Sequence, residues 1–437
     1  MSQIKRVAVL GSGTMGLGIA GMCASAGCDV LLLDLHKESC DSALPRLVAG
    51  RTPVLEDETR LHLITTGSFA DDMPKIADCQ WICEAIVEEV SAKRRIFREA
   101  ERYRSDGSIL STNTSGIPLR DLYTGMPERL QQDVAVTHFF NPVHAMKLVE
   151  LVPGTRTRSE AIAVLADFLG NTVGKGVVYA KDTVNFIGNR IGCLWINAGL
   201  HLAEKSILTD GLTVEQVDAL LSTPMGFPAT GLYGLCDLIG IDVMYNVNRN
   251  LEENLPENDS SRRFIALPEK VQGMYDRGQL GRKTGGGFYK LIRHTDGSKS
   301  MEVFDLAPET WRSEAPVTLQ ENEQSFRDLF ENPGNPGRLV RDLMATTLCY
   351  TAGCVPEIAD DIVNVDRAMR WGFGWEKGPF QLMDEIGAHS LIALANEHPF
   401  AMPNMLQVLI DSGESTFYRH QGTEFLTVCG QWERVPD

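Results

Sequence analysis

His138 and Glu150 are the pair in this chain whose types and spacing best suit chemistry. Both lie in VTHFFNPVHAMKLVELV, residues 136–152, a run that otherwise reads as buried strand. An imidazole placed there is either a core histidine satisfied by a backbone group or a general base. A turn at NPVHAM, flanked by Phe140 and Lys147, pairs two antiparallel strands and sets His138 directly opposite Glu150. A carboxylate beside the ring fixes its tautomer. An unpartnered carboxylate in an apolar strand is costly, so its presence shifts the balance toward the base.

A second constellation sits at the amino end. VAVLGSGTMGLGIA carries Gly11, Gly13 and Gly16 as GxGxxG. The motif alone is weak in a chain with 40 glycines. Here it follows a strand, opens a helix, and is answered by Asp34 at the end of the second strand, the context a dinucleotide needs. Gly11 permits the tight turn, Gly13 lets the backbone approach a pyrophosphate, and Gly16 lets helix pack on strand. Thr14 and Met15 complete the loop whose amides meet the phosphates. Asp34 suits the two hydroxyls of an adenosine ribose and repels a 2′-phosphate, which favours NAD over NADP, with Lys37 softening that preference.

The elements that position these residues are legible from periodicity. VAVLG (7–11), VLLLD (30–34), WICEAI (81–86), SILSTNTS (108–115), VAVTHFF (134–140), KLVELV (147–152) and GVVYAKD (176–182) read as strands. Helical spacing at Met15–Ala26, Ser39–Ala49 and Ser91–Tyr103 separates several of them, which implies a doubly wound, mostly parallel sheet. After Asp182 helical spacing takes over. Arg190 to Asp218 and Arg338 to Asp366 have equal separation, and Asp237 with Gly240 matches Asp384 with Gly387, so the helical segment reads as a duplication. The expected fold is α/β plus all-α: a Rossmann-type domain over 1–182, a helical domain over 183–292, a linker over 293–336, and a second helical domain over 337–437.

Composition narrows the function classes. A net charge of −17 on 437 residues argues against a nucleic-acid footprint and against anionic membrane surfaces. The ten cysteines form no CxxC pair or Cys/His cluster, so no metal site is expected, and most read as buried apolar residues of a reducing compartment. No apolar run reaches the ~20 residues of a membrane span. The first strand begins almost at the N-terminus, so a cytoplasmic protein is expected.

The chain resembles the NAD-dependent L-3-hydroxyacyl-CoA dehydrogenases of fatty-acid β-oxidation. GSGTMG, EAIVEEVSAK, STNTSG, HFFNP with KLVELV, KDTVNFIGNR and GRKTGGGFYK carry the resemblance in order, over most of residues 5–290. The repeated segment resembles the second C-terminal domain of long multifunctional members, where duplication replaces a homodimer partner. The resemblance implies NAD as cofactor, a 3-hydroxyacyl-CoA oxidised to a 3-ketoacyl-CoA, and association with an enoyl-CoA hydratase or thiolase. It casts His138 as the base, Glu150 as its orienting partner, and Ser115 and Asn189 as polar contacts to the substrate. Glu88, Lys93, Asn141 and Lys283 resemble cofactor-side positions.

Three departures stand out. Val184 replaces a usual proline, Gly116 replaces a serine of short members, and the CoA-binding lysine has no counterpart, leaving Arg46 and Arg51 as candidates. Residues 1–437 hold no hydratase-like segment, and the chain reads either as a stand-alone dehydrogenase or as the dehydrogenase part of a longer protein or complex. The rival readings are a dehydrogenase of a non-CoA hydroxy or sugar acid, and a non-catalytic dinucleotide-binding relative.

Overall fold

The computed structural model describes residues 4–50, 52–397 and 402–436. They divide into two compact units, Met1–Ile187 with Glu357–Asp360, and Gly188–Pro356 with Asp361–Asp437.

The first unit is built on eight strands: β1 (Arg6–Leu10), β2 (Asp29–Asp34), β3 (Ile64–Ser68), β4 (Trp81–Glu84), β5 (Ile109–Thr112), β6 (Val134–Phe139), β7 (Leu148–Pro153) and β8 (Gly176–Tyr179). Their order is β3-β2-β1-β4-β5-β6-β7-β8. The strands β1 to β6 run parallel, β7 turns back against β6, and β8 follows β7 in parallel. The reversal of strand order falls between β1 and β4, where ligands of such sheets bind. Strands β4, β5 and β6 are buried throughout, the polar Glu84, Ser111, Thr112, Thr137 and His138 included, as expected of a mostly parallel sheet covered on both faces. The helix Val90–Tyr103 buries Lys93, Ile96, Phe97 and Ala100 on one side and shows its remaining charges to water.

Three local differences from the sequence reading have simple causes. Strand β3 was not anticipated, since ITTGS is an edge strand with its Thr65 exposed and carries little apolar signal. The helix expected over Ser39–Ala49 is the helix Lys37–Ala43 followed by the tighter turn Leu44–Leu47, because Pro45 cannot donate to the ladder. The first unit also extends past Asp182. The Ile187 amide donates to Glu150 at 3.0 Å, and the Phe186 ring packs 5.7 Å from His138.

The second unit repeats one arrangement. The helices Gly188–Asp210, Val214–Leu220 and Gly231–Ile239 correspond to Asn335–Cys354, Ile362–Gly372 and Pro379–Ile386. Asp218 accepts the amides of Tyr233 (2.6 Å) and Gly234 (2.9 Å), and Asp366 accepts those of Phe380 (2.8 Å) and Gln381 (3.2 Å). Asp237 accepts Phe288 and Tyr289, each at 2.8 Å, while Asp384 accepts Phe417 (2.7 Å) and Tyr418 (2.9 Å). The same buried carboxylate therefore ties the same joint twice. Phe227 and Trp375, from the matching Gly/Pro loops, stack at 4.3 Å and join the copies. Arg190 and Arg338, equally spaced in the sequence, differ in setting. Arg190 is buried against Asp259 and Tyr350, whereas Arg338 is half exposed.

The stretch 293–336 is not a bare linker. It carries two strands of the sheet Tyr289–Arg293, Lys299–Asp305 and Thr310–Ser313, followed by the helix Phe326–Glu331. Only Val303 and Phe304 of the second strand are buried. A sheet with so little core contact has almost no hydrophobic alternation to reveal it. Its third strand is tied through Arg312 to Glu215, whose carboxyl this ion pair helps hold near 2 against the opposing effect of burial.

Burial pushes the Asp218 and Asp366 carboxyls up to about 7. The folded protein thus keeps protons that the unfolded chain has released above roughly pH 4, so this contribution is complete in acid and is lost as pH rises through 7. Denaturant unfolding is expected to show lower stability at pH 8 than at pH 5, with the Asp218→Asn and Asp366→Asn pair narrowing the difference. An unchanged pH slope in that double variant would show that these carboxyls do not titrate with folding.

Candidate active site

His138 and Glu150 are direct cross-strand partners on β6 and β7. Nδ1 lies 2.6 Å from Glu150 Oε2. A carboxylate accepts, so Nδ1 carries the proton and the lone pair is left on Nε2, the nitrogen a base would use. His138 is 3% exposed and Glu150 is fully buried. The second carboxylate oxygen takes the Ile187 amide at 3.0 Å, so both oxygens are satisfied. Phe140 lies 4.5 Å from the imidazole, centroid to centroid. The loop from β6 to β7, which carries the exposed Asn141, is tethered by Lys175, whose ammonium donates to the carbonyls of Val143 and Met146. Burial draws that ammonium down to about 8.

A cleft of about 940 Å³ opens along the carboxyl ends of the strands. Gly11, Gly13, Thr14 and Met15 line one part, Asp34 and Leu35 another, and Ile86, Val87, Glu88, Asn113 and Ser115 the far side. The glycines have distinct reasons. Gly11 has φ +113°, and a Cβ there would lie 2.5 Å from the Ala85 carbonyl oxygen. A Cβ on Gly16 would strike the Gly11 carbonyl oxygen at 1.9 Å. A Cβ on Gly13 meets nothing within 4 Å, so its small size serves an occupant rather than the fold. The helix Thr14–Ser25 begins there with no side-chain cap and no acid in its first turn, which leaves its amides for an anion. Asp34 is aimed by Ser12, whose amide and hydroxyl both donate to Oδ2 at 2.6 Å. These residues fit a dinucleotide: helix amides for the pyrophosphate and a carboxylate for the adenosine ribose.

Below the cleft lies a chain of polar groups. Lys93 is 1% exposed, with its ammonium 2.8 Å from Glu84 and 3.2 Å from Glu88. It therefore stands behind Glu88 rather than open to the cleft. Glu84 also accepts the Thr112 hydroxyl (2.5 Å) and the Ile86 amide (2.7 Å). Glu88 accepts the Ser115 amide at 2.9 Å, so the network reaches the loop bearing the Ser115 side chain. Glu84 and Lys175 went unnoticed in the sequence. Glu84 gave the same signal as Glu150, an acid inside an apolar strand; Lys175 gave none.

Two other expected positions belong to the second unit, and two arginines were candidates for CoA. Asn189 is half-buried at the start of the helix Gly188–Asp210, in the second unit. Lys283, also there, is paired with Asp242. Arg46 is exposed on its turn, and Arg51 lies outside the described residues. Among the described residues no cluster of His, Cys, Asp or Glu could hold a metal ion, and no helix is long and apolar enough to cross a membrane.

A glycine-cradled cleft at the strand ends, with a histidine held by a buried carboxylate in the same sheet, places the chain among doubly wound, dinucleotide-binding proteins. Residues 6–183 match the family profile described as 3-hydroxyacyl-CoA dehydrogenase, NAD binding domain, and residues 186–291 match its C-terminal domain. The chain belongs to the 3-hydroxyacyl-CoA dehydrogenase family. It is 32% identical to a probable 3-hydroxyacyl-CoA dehydrogenase of Bacillus subtilis, across 100% of this chain and 58% of that one. It is 31% identical to a putative fatty acid oxidation complex trifunctional enzyme of Rickettsia felis, across 93% and 57%. The chain thus spans little more than half the length of these relatives. In fold it is similar to 3-hydroxybutyryl-CoA dehydrogenase from Escherichia coli K12, with a TM-score of 0.71 at 24% identity over 94% of this chain and 99% of that one.

Gly13→Ala is expected to keep the wild-type melting temperature while weakening NAD on the order of tenfold or more by calorimetry. Gly11→Ala, strained and blocked by Ala85, should lower both. Unchanged NAD affinity in Gly13→Ala would mean that the pyrophosphate does not pass that residue.

Proposed function

We propose that this chain oxidises an L-3-hydroxyacyl-CoA to the 3-ketoacyl-CoA with NAD, as a step of fatty-acid β-oxidation. The observation that carries the reading is the His138–Glu150 pair beside the glycine-cradled cleft. His138 Nε2 takes the hydroxyl proton as the C3 hydrogen leaves with its electron pair. NAD, when bound, is the hydride acceptor. Glu150 holds the ring through Nδ1–H and balances the imidazolium that forms. Ser115 and Asn189 are assigned as polar contacts to substrate oxygens, Glu88 and Asn141 as cofactor-side contacts, and Lys93 as the cation that steadies Glu88. Lys283 has the weakest claim, since Asp242 already holds its charge.

Relatives named as fatty acid oxidation complex proteins support a place in a multi-activity assembly, and the resemblance assigns hydratase or thiolase as the neighbouring activities, on the same polypeptide or on partners.

NADH formation should be followed with L-3-hydroxybutyryl-CoA and with a long-chain L-3-hydroxyacyl-CoA. Wild type is expected to turn over at least one of them. His138→Gln should lower kcat on the order of 10²–10⁴-fold with the Kd for NAD unchanged. No turnover of either thioester, with NAD still binding tightly, would remove the acyl-CoA assignment and favour a free hydroxy acid.

A further inference from the structure

Asn113 lines the cleft beside the strand that carries His138. It follows the last residue of β5, in STNTSG, and its side chain is held from a neighbouring strand. The Phe139 amide, one residue past His138, donates to Asn113 Oδ1 at 2.9 Å. The Asn113 backbone N–H in turn donates to the Glu84 backbone carbonyl on β4 at 2.7 Å. The residue is thus fixed between β4 and β6, and its amide orientation is decided: Oδ1 must face the Phe139 N–H, so Nδ2 must face the other way.

Nδ2 has no acceptor among the described residues, although Asn113 is 7% exposed. It is also not among the sealed, unpartnered atoms, so its remaining exposure is to the cleft that Asn113 lines with Glu88 and Ser115. A buried amide whose carbonyl oxygen is pinned by backbone and whose NH2 faces the cleft offers a donor to whatever the cleft binds.

We propose that Asn113 Nδ2 donates a hydrogen bond to an oxygen of the nicotinamide nucleoside, either a ribose hydroxyl or the carboxamide carbonyl. The order of strands along the sheet sets where each part of the dinucleotide lies. Asp34 at the end of β2 takes the adenosine ribose, and the glycines after β1 take the pyrophosphate. The rest of the dinucleotide must therefore run past β4 toward β5, where Asn113 stands, one strand from His138. A neutral NH2 there selects an oxygen acceptor without adding charge beside a ring that changes charge during reaction. The inference rests on the dinucleotide reading of the cleft and is independent of which hydroxy acid is oxidised.

The test is calorimetric binding of NAD, ADP-ribose and ADP to wild type, Asn113→Asp and Asn113→Ala. The aspartate keeps an oxygen for the Phe139 N–H and replaces the donor by an acceptor; the alanine controls for added charge. Both variants should weaken NAD about tenfold while ADP changes less than about twofold. ADP-ribose weakened together with NAD would place the bond on the ribose, and ADP-ribose behaving like ADP would place it on the carboxamide. Equal losses for NAD and ADP, or no loss in either variant, would overturn the proposal. A wild type that binds NAD but oxidises no thioester would remove the acyl-CoA function and leave this assignment standing. A wild type that binds none of the three ligands would remove the assignment as well.

Discussion

Glu150 has no exposed surface, and a carboxylate buried so deeply is unstable unless donors surround it. Much of the first unit can be understood as the answer to that requirement. One oxygen is met by His138 from the antiparallel strand and the other by the Ile187 amide from the chain leaving the sheet. The first contact needs β7 to run against β6, the only reversal in an otherwise parallel sheet. The second needs residues 183–187 to remain with the sheet. Asn185 and Phe186 pass through left-handed backbone, with φ +62° and +51°, on the way to that amide. The charge is therefore held by topology, and the histidine inherits its orientation from the charge.

The same physics recurs at the cofactor cleft with a different outcome. Glu84 is as buried as Glu150, and burial raises its carboxyl above the ordinary range while Lys93 and Thr112 oppose the shift. Its partner is a lysine rather than a histidine, and Lys93 passes the contact on to Glu88. Both acids lie inside strands whose neighbours are apolar, and each fixes a residue at the open end of the sheet. A buried ion in this fold marks the floor beneath a working surface.

How much of this could be read beforehand depended on whether the residues lay in a patterned core. The strands under the site are buried on both faces and largely apolar in sequence, and the register that sets His138 opposite Glu150 follows from one short turn, so both were legible. The glycines were legible because their spacing is dictated by backbone geometry. Strand β3 and the sheet over residues 289–313 were not, because neither buries enough side chains to impose alternation. Lys93 was expected as a cofactor-side residue from the resemblance alone, and its burial was hidden, since a lysine on an amphipathic helix normally faces water. Asn113 lay inside a quoted motif and drew no notice. Its role depends on an amide from a strand that is 26 residues away in sequence.

The duplicated helical framework has a consequence for how the molecule responds to dilution and to mutation. When two copies of a helical domain meet as separate chains, their contact depends on protein concentration, and symmetry obliges every substitution to appear on both sides. Here the contact made by Phe227 and Trp375 is internal, so the partner is present at fixed effective concentration however little protein there is. Each copy is also free to specialise. Arg190 has become a buried ion in one copy while Arg338 remains a surface charge in the other, an asymmetry that no two-fold dimer could hold.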